Sequence, residues 1–245
     1  MFQYFDKIRT ILHTVEQEQH EQINQAAELI TEAINKKCAI FAFGASHAGI
    51  LTQELYFRAG GLININPIFG REIMLDTEPV THTSKMERMV GYGEQLAAKT
   101  PFKEGDVLIL HSVSGRNPVT IEMAMIAQQK GVKTIGITNL SYSKTVSSRH
   151  PSGDNLYRYC DIVIDNHGDI GDATVELPGL DQKVAPTSTV IGATIVNTIV
   201  AEVVRKLVEL GDTPPPILYS ANLDGGDARN KMLFEQYKDS IHYRF

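Results

Sequence analysis

The sequence predicts an α/β fold: a doubly wound, three-layer sandwich with a five-stranded parallel sheet and helical extensions at both ends. The prediction rests first on Val107–Leu110, an apolar run of the kind that forms a strand buried on both faces. Thr120–Lys130 then reads as a helix, with Ile121, Met125 and Ile126 at helical spacing, and Gly131 stops it before a second buried strand at Val132–Thr138. That is one βαβ unit, whose crossover should be right-handed. The same pattern occurs upstream, where Cys38–Phe43 opens through Gly44-Ala45-Ser46-His47 into a helix reaching about Arg58. Loops of this kind on one parallel sheet open at its C-terminal edge, where ligands bind in this architecture.

The chain has 245 residues, 42% apolar and 21% charged, enough for one α/β domain with additions and a sizeable core. A net charge of −6 argues against a broad nucleic-acid surface, but a small anion can still be held by local dipoles. Cys38 and Cys160 have neither zinc-site nor disulfide-framework spacing, which fits a reducing cytoplasm. The first residues lack the apolar core of a signal peptide, and the apolar stretch near 190–204 is interrupted by Asn197, Thr198 and Glu202. A cytoplasmic protein with no membrane partner is expected.

In chain order, residues 3–36 carry an amphipathic helical stripe with a polar interval at Glu16–Gln22, a candidate break between two helices. Such a leader packs on a partner subunit or on its own sheet; a homodimer or higher homo-oligomer is expected. Gly60-Gly61 stops the helix after the first strand, and Leu62–Asn66 is the next strand. Thr83 or Ser84 should cap a helix running through Lys99, with Glu87 completing a capping box with Ser84. A short helix is expected after Asn139, a strand at Cys160–Asp165, and a hairpin carrying Ala173–Leu177. The last long helix opens within Val184–Thr189 and ends near Leu210; a short amphipathic helix lies in the tail. The organisation is therefore an N-terminal helical extension (1–37), a central domain (38–211) and a C-terminal extension (212–245).

The chemistry concentrates in the loop Ser112-Val113-Ser114-Gly115-Arg116-Asn117. Asn117 is a preferred N-cap type and Pro118 suits the first turn of a helix. A helix N-terminus offers free N–H groups and partial positive charge to an anion such as phosphate. Ser112 and Ser114 add hydroxyls, Gly115 permits close backbone approach, and Asn117 adds an amide. Neither a nucleotide P-loop nor a Gly-x-Gly-x-x-Gly turn is present. The same residues also fit a loop that only caps a helix. His167, Asp169 and Asp172 match no metal-box spacing, and their Gly-Asp pairs favour turns, so no metal is expected.

The run Ser-x-Ser-Gly-x-Asn, between a buried strand and a helix carrying Ile-Glu-x-Ala, resembles the phosphate loop of the SIS (sugar isomerase) domain. The segment from Gly44 to Gly61 is similar to that family's first motif, Gly-x-Ser followed by a helix with Glu-Leu. The resemblance covers about residues 38–205 and points to single-domain, phosphoheptose isomerase-like proteins. It implies a phosphorylated sugar as partner, held by Ser46, Ser112, Val113, Ser114, Gly115 and Asn117, with Ser188 and Thr189 lining the sugar. It implies no cofactor. Glu54 matches the family's acid/base carboxylate, although a solvated or ion-paired helix carboxylate explains it as well; His47 and Glu72 are alternative proton-transfer groups. The histidine that phosphoheptose isomerases place on their last helix is missing. The expected activity is an aldose–ketose sugar-phosphate isomerisation; an amino-sugar-phosphate lyase or etherase, or a non-catalytic sensor, stands beside it.

Overall fold

The computed structural model describes residues 2–211 and 214–245. The start of the C-terminal extension, Asp212 and Thr213, lies outside the described residues, as does Met1. The core is a parallel sheet of β1 (Ile40–Gly44), β2 (Ile65–Pro67), β3 (Val107–His111), β4 (Lys133–Thr138) and β5 (Ile162–Asp165), in the order β2-β1-β3-β4-β5. The strand order reverses between β1 and β3, so the crevice at their C-terminal ends is the switch point of a doubly wound sheet.

Side chains alternate between the faces, as the pleat requires. Ile40, Ala42, Val107, Ile109, Ile135 and Ile137 join one core with α2 (His20–Asn35), α3 (Ile50–Leu55) and α8 (Ser188–Glu209). Phe41, Phe43, Leu108 and Leu110 join the other with α6 (Pro118–Gln129). Burial of both faces explains why the strands read as continuous apolar runs, and each fully buried Ile or Leu stabilises by about 1.5–3 kcal/mol.

The polar interval near residue 19 does separate two helices, α1 (Gln3–Glu18) and α2. The helix predicted through Lys99 is instead two, α4 (Thr81–Glu87) and α5 (Tyr92–Lys99). Gly91 sits between them at φ 89°, and the buried Glu122 of α6 accepts from the amides of Gly91 (2.6 Å), Gly93 (2.8 Å) and Glu94 (3.3 Å). A carboxylate that answers a helix start fixes where the helix begins. The Ser84–Glu87 box does not form, because Glu87 turns to Asn117.

Other boundaries also move. The helix after β1 begins as a 3-10 turn, Ser46–Gly49, and ends at Leu55 rather than Arg58. The second strand is Ile65–Pro67, and Leu62 pairs with Ile217 instead. Val184–Pro186 is not helical: as β7 it pairs antiparallel with β6 (Ala173–Val175), completing the expected hairpin. A short helix, α7 (Leu140–Thr145), follows Asn139 as expected.

The tail folds onto its own domain. α9 (Gly226–Tyr237) and the residues after it pack Leu233 and Ile241 on Ile63 and Leu218. Buried Asn66 donates to the carbonyls of Ile40, Asn64 and Ser240 and accepts from the His242 amide at 2.6 Å. The outer edge of β2, which would otherwise be an open template for strand pairing, is thereby covered.

Candidate functional site

The site is built where β1 and β3 end side by side, with Gly44 in register with His111. α3 leaves the first loop toward one face of the sheet and α6 leaves the second toward the other.

In the second loop, several carbonyls are satisfied while most of the donors are free. The Val113 carbonyl accepts from the Asn139 amide (3.0 Å) and the Thr138 hydroxyl (3.1 Å). The Gly115 carbonyl accepts from the Leu156 amide (2.8 Å) and that of Arg116 from the Arg149 amide (2.9 Å). Among the described residues, the amides of Val113 through Asn117 and the hydroxyls of Ser112 and Ser114 donate to no protein group. Gly115 holds φ 62°, and a Cβ there would stand 2.9 Å from Ser143 Oγ, so the turn requires glycine. Pro118 at the start of α6 contributes no N–H but pre-sets the helix that begins here.

Asn117 occupies the N-cap position, but its side chain does not cap. Its Nδ2 donates to Glu87 Oε2 at 2.7 Å and its Oδ1 accepts from Arg149 Nη1 at 2.8 Å. Burial pushes the Glu87 carboxyl above its ordinary range, opposed by the Asn117 hydrogen bond and by Arg88, Arg149 and His47.

In the first loop, the chain returns tightly over β1: a Cβ on Gly44 would lie 2.5 Å from the Ala48 carbonyl oxygen. Ser46 is held at φ 53°, an unfavourable region for a side-chain-bearing residue. Its hydroxyl is half-buried and His47 beside it is exposed.

Of the carboxylates considered for proton transfer, Glu54 of α3 pairs with Arg58, which follows the helix, and accepts from Asn197 Nδ2 of α8 at 2.8 Å. Glu72 lies beyond β2 and accepts from the Tyr92 hydroxyl at 3.3 Å. Ser188 is buried, and its hydroxyl donates to Asp172 Oδ2 at 2.6 Å; Thr189 is half-buried next to it. Asp172 also accepts the amides of Thr187 and Ser188, answering the start of α8. Asp169 pairs with Lys183 at 2.9 Å, and His167 Nε2 meets Gln19 Nε2 at 3.0 Å. Those side chains have structural partners of their own.

Pattern reading missed His111. It ends β3 immediately before Ser112 and is 2% exposed. Its Nδ1 lies 3.1 Å from the Ala48 carbonyl oxygen, which only accepts, so Nδ1 carries the proton. Burial lowers its pKa, against the Ala48 bond and the field of Asp172, and keeps the ring neutral. Nε2 is then a buried acceptor with no partner among the described residues. One sequence signal existed: a polar residue ending an otherwise apolar strand at a ligand-facing edge.

A model of the SIS domain matches residues 3–139 of this chain. A UPF0309 protein of Shouchella clausii is 49% identical over 241 residues, 98% of each chain. Another from Oceanobacillus iheyensis is 48% identical over 243 residues, 99% of this chain and 98% of its own. Among solved structures, a phosphoheptose isomerase from Neisseria gonorrhoeae shares the fold with a TM-score of 0.52 at 17% identity, covering 82% of this chain and 92% of its own. The sheet order, the paired loops and these likenesses converge: the chain belongs to the SIS domain family and, over nearly its whole length, to the UPF0309 proteins.

Proposed function

We propose that this chain binds a phosphorylated sugar in the crevice between β1 and β3 and interconverts its aldose and ketose forms. The observation that carries the reading is the state of the Ser112–Asn117 loop, where the amides of Val113 through Asn117 and the hydroxyls of Ser112 and Ser114 donate to no protein group among the described residues and a 12-residue helix stands behind. Such a surface favours phosphate over a neutral group. Ser46 and His47 stand at the same sheet edge in the loop that follows β1, and Thr189 belongs to the first turn of α8.

In this reading, phosphate binding supplies remote binding energy that fixes the reacting carbons. A carboxylate takes the proton from C2 of the open-chain sugar and returns it to C1 through an enediol, while a second group moves the hydroxyl proton between O1 and O2. No electron leaves the substrate, so the step consumes no cofactor. Glu54 is the carboxylate carried over from the family, and it pairs with Arg58. The amphipathic α1 belongs to the same proposal: a groove of about 670 Å³ between α1, α2 and α8, lined by Leu12, Val15, Ile23 and Ile195, offers a face for a second copy in a cytoplasmic homodimer.

A second reading, a phosphosugar sensor without turnover, draws on a different observation. α8 carries no histidine, and Glu54 is engaged by both Arg58 and Asn197. Thermal stabilisation against hexose, heptose and amino-sugar phosphates, with Ser114→Ala beside wild type, tests the site. A phosphosugar that stabilises wild type and not the variant supports binding at this loop; equal shifts in both place it elsewhere. Product analysis with Glu54→Gln then separates the readings, since an isomerase loses turnover and keeps binding.

A further inference from the structure

Arg88, Arg116 and Arg149 gather at the end of the Ser112–Asn117 loop. Arg116 belongs to the loop; its Nε donates to the Ser147 carbonyl at 3.0 Å, and its own carbonyl holds the Arg149 amide. Arg149 reaches the loop through Asn117 Oδ1. Arg88 follows Glu87, which grips the other end of the same Asn117 amide. One asparagine thus fixes the cluster from two sides.

None of these arginines forms an ion pair among the described residues, whereas Arg9, Arg58 and Arg205 each do. Arg88 and Arg149 are exposed and Arg116 is half-buried. Burial and the neighbouring Arg116 and Arg88 push the Arg149 guanidinium below its ordinary range. Burial raises the pKa of the carboxylate among them, Glu87, against the pull of the Asn117 hydrogen bond and of Arg88 and Arg149. In a chain of net charge −6, three like charges gather here beside a single half-buried carboxylate, with Arg116 and Arg149 held by uncharged partners, an arrangement that an anion relieves. The free amides of Val113–Asn117 and the hydroxyls of Ser112 and Ser114 already answer one phosphate, so the arginines address another group.

We infer that the ligand carries two anionic groups: a phosphate on the Ser112–Asn117 loop, and a second phosphate or a carboxylate gripped by Arg88, Arg116 and Arg149. The inference rests on the proposal that the loop holds a phosphate. It narrows the substrate class to sugar bisphosphates and phosphorylated sugar acids. Planar guanidinium forks suit either second group, since both accept paired hydrogen bonds.

Calorimetric titration with fructose 6-phosphate, fructose 1,6-bisphosphate and 6-phosphogluconate tests it, using wild type, Arg149→Gln, Arg88→Gln and Ser114→Ala. The expected result is that one doubly anionic ligand binds wild type roughly tenfold or more tightly than the monophosphate. The preference should disappear in Arg149→Gln and shrink in Arg88→Gln, with monophosphate binding kept in both. Which ligand shows it separates a second phosphate from a carboxylate. No preference in wild type, or a preference intact in both arginine variants, overturns the inference while leaving the loop proposal standing. Equal loss of all ligands in the arginine variants assigns the arginines to the first phosphate and overturns it too. Failure of every ligand to bind wild type removes the loop reading, and this one with it.

Discussion

The starts of α5 and α8 differ from the start of α6 in one respect. α5 is answered by Glu122 and α8 by Asp172, each a carboxylate reaching in from elsewhere in the chain. α6 has no such carboxylate: Asn117 stands at its cap position with its amide committed to Glu87 and Arg149. The chain therefore answers these two helix starts internally, with its own carboxylates. The start of α6, at the switch point of the sheet, has none. The difference turns a general property of helix ends into a specific expectation about where an anion goes.

The strongest way to break this comparison is to remove an internal answer. Glu122→Ala deletes a buried carboxylate that serves the Gly91, Gly93 and Glu94 amides, and should cost roughly 3 kcal/mol in urea unfolding. A loss under about 1 kcal/mol would mean that the carboxylate is not what starts α5. Next, Ser114→Asp supplies α6 with the carboxylate it lacks. Ligand-induced stabilisation should vanish while the unliganded melting temperature stays level or rises; retained ligand response would separate the binding site from this loop. Asp172→Ala should lower stability by about 1–2 kcal/mol, a typical cap loss, and leave phosphosugar affinity within a few-fold of wild type. Strong loss of affinity would extend the site to α8.

The smallest effect concerns pH. Burial raises the folded-state pKa of Glu87 above its unfolded value, so the folded chain binds the extra proton more readily. Its contribution is present below the unfolded pKa and is lost as pH rises through the folded one. Urea midpoints across the mildly acidic range should show a downward slope that Glu87→Gln flattens. An unchanged slope would assign the titration to another group.

Much of this was legible from residue order. Buried strands announce themselves as apolar runs, and Val107–Thr138 shows strand, loop, helix and strand in one stretch. What stayed hidden depends on partners far away in sequence. Glu122 looks like an ordinary helix carboxylate until α5 is packed on it. Asp172 sits among Gly-Asp pairs and becomes a cap only when the β6–β7 hairpin brings it to Thr187. Arg149 lies in a polar run with no period, 32 residues from the asparagine it binds. His111 reads as the last residue of a strand, and only the fold-back of Ala48 over Gly44 reveals its tautomer. Local pattern specifies elements; it does not specify which distant side chain answers them.

The link between α4 and α5 is anchored at both ends to one helix: Glu87 holds Asn117 at the start of α6, and Gly91 is held by Glu122 a little over one turn further along. Between these anchors, Arg88, Met89 and Val90 are exposed. Trypsin cleavage after Arg88 would therefore sever the polypeptide without releasing either piece. The nicked molecule should separate into two fragments in denaturant yet elute as one particle under native conditions, a covalent break that the tertiary structure conceals.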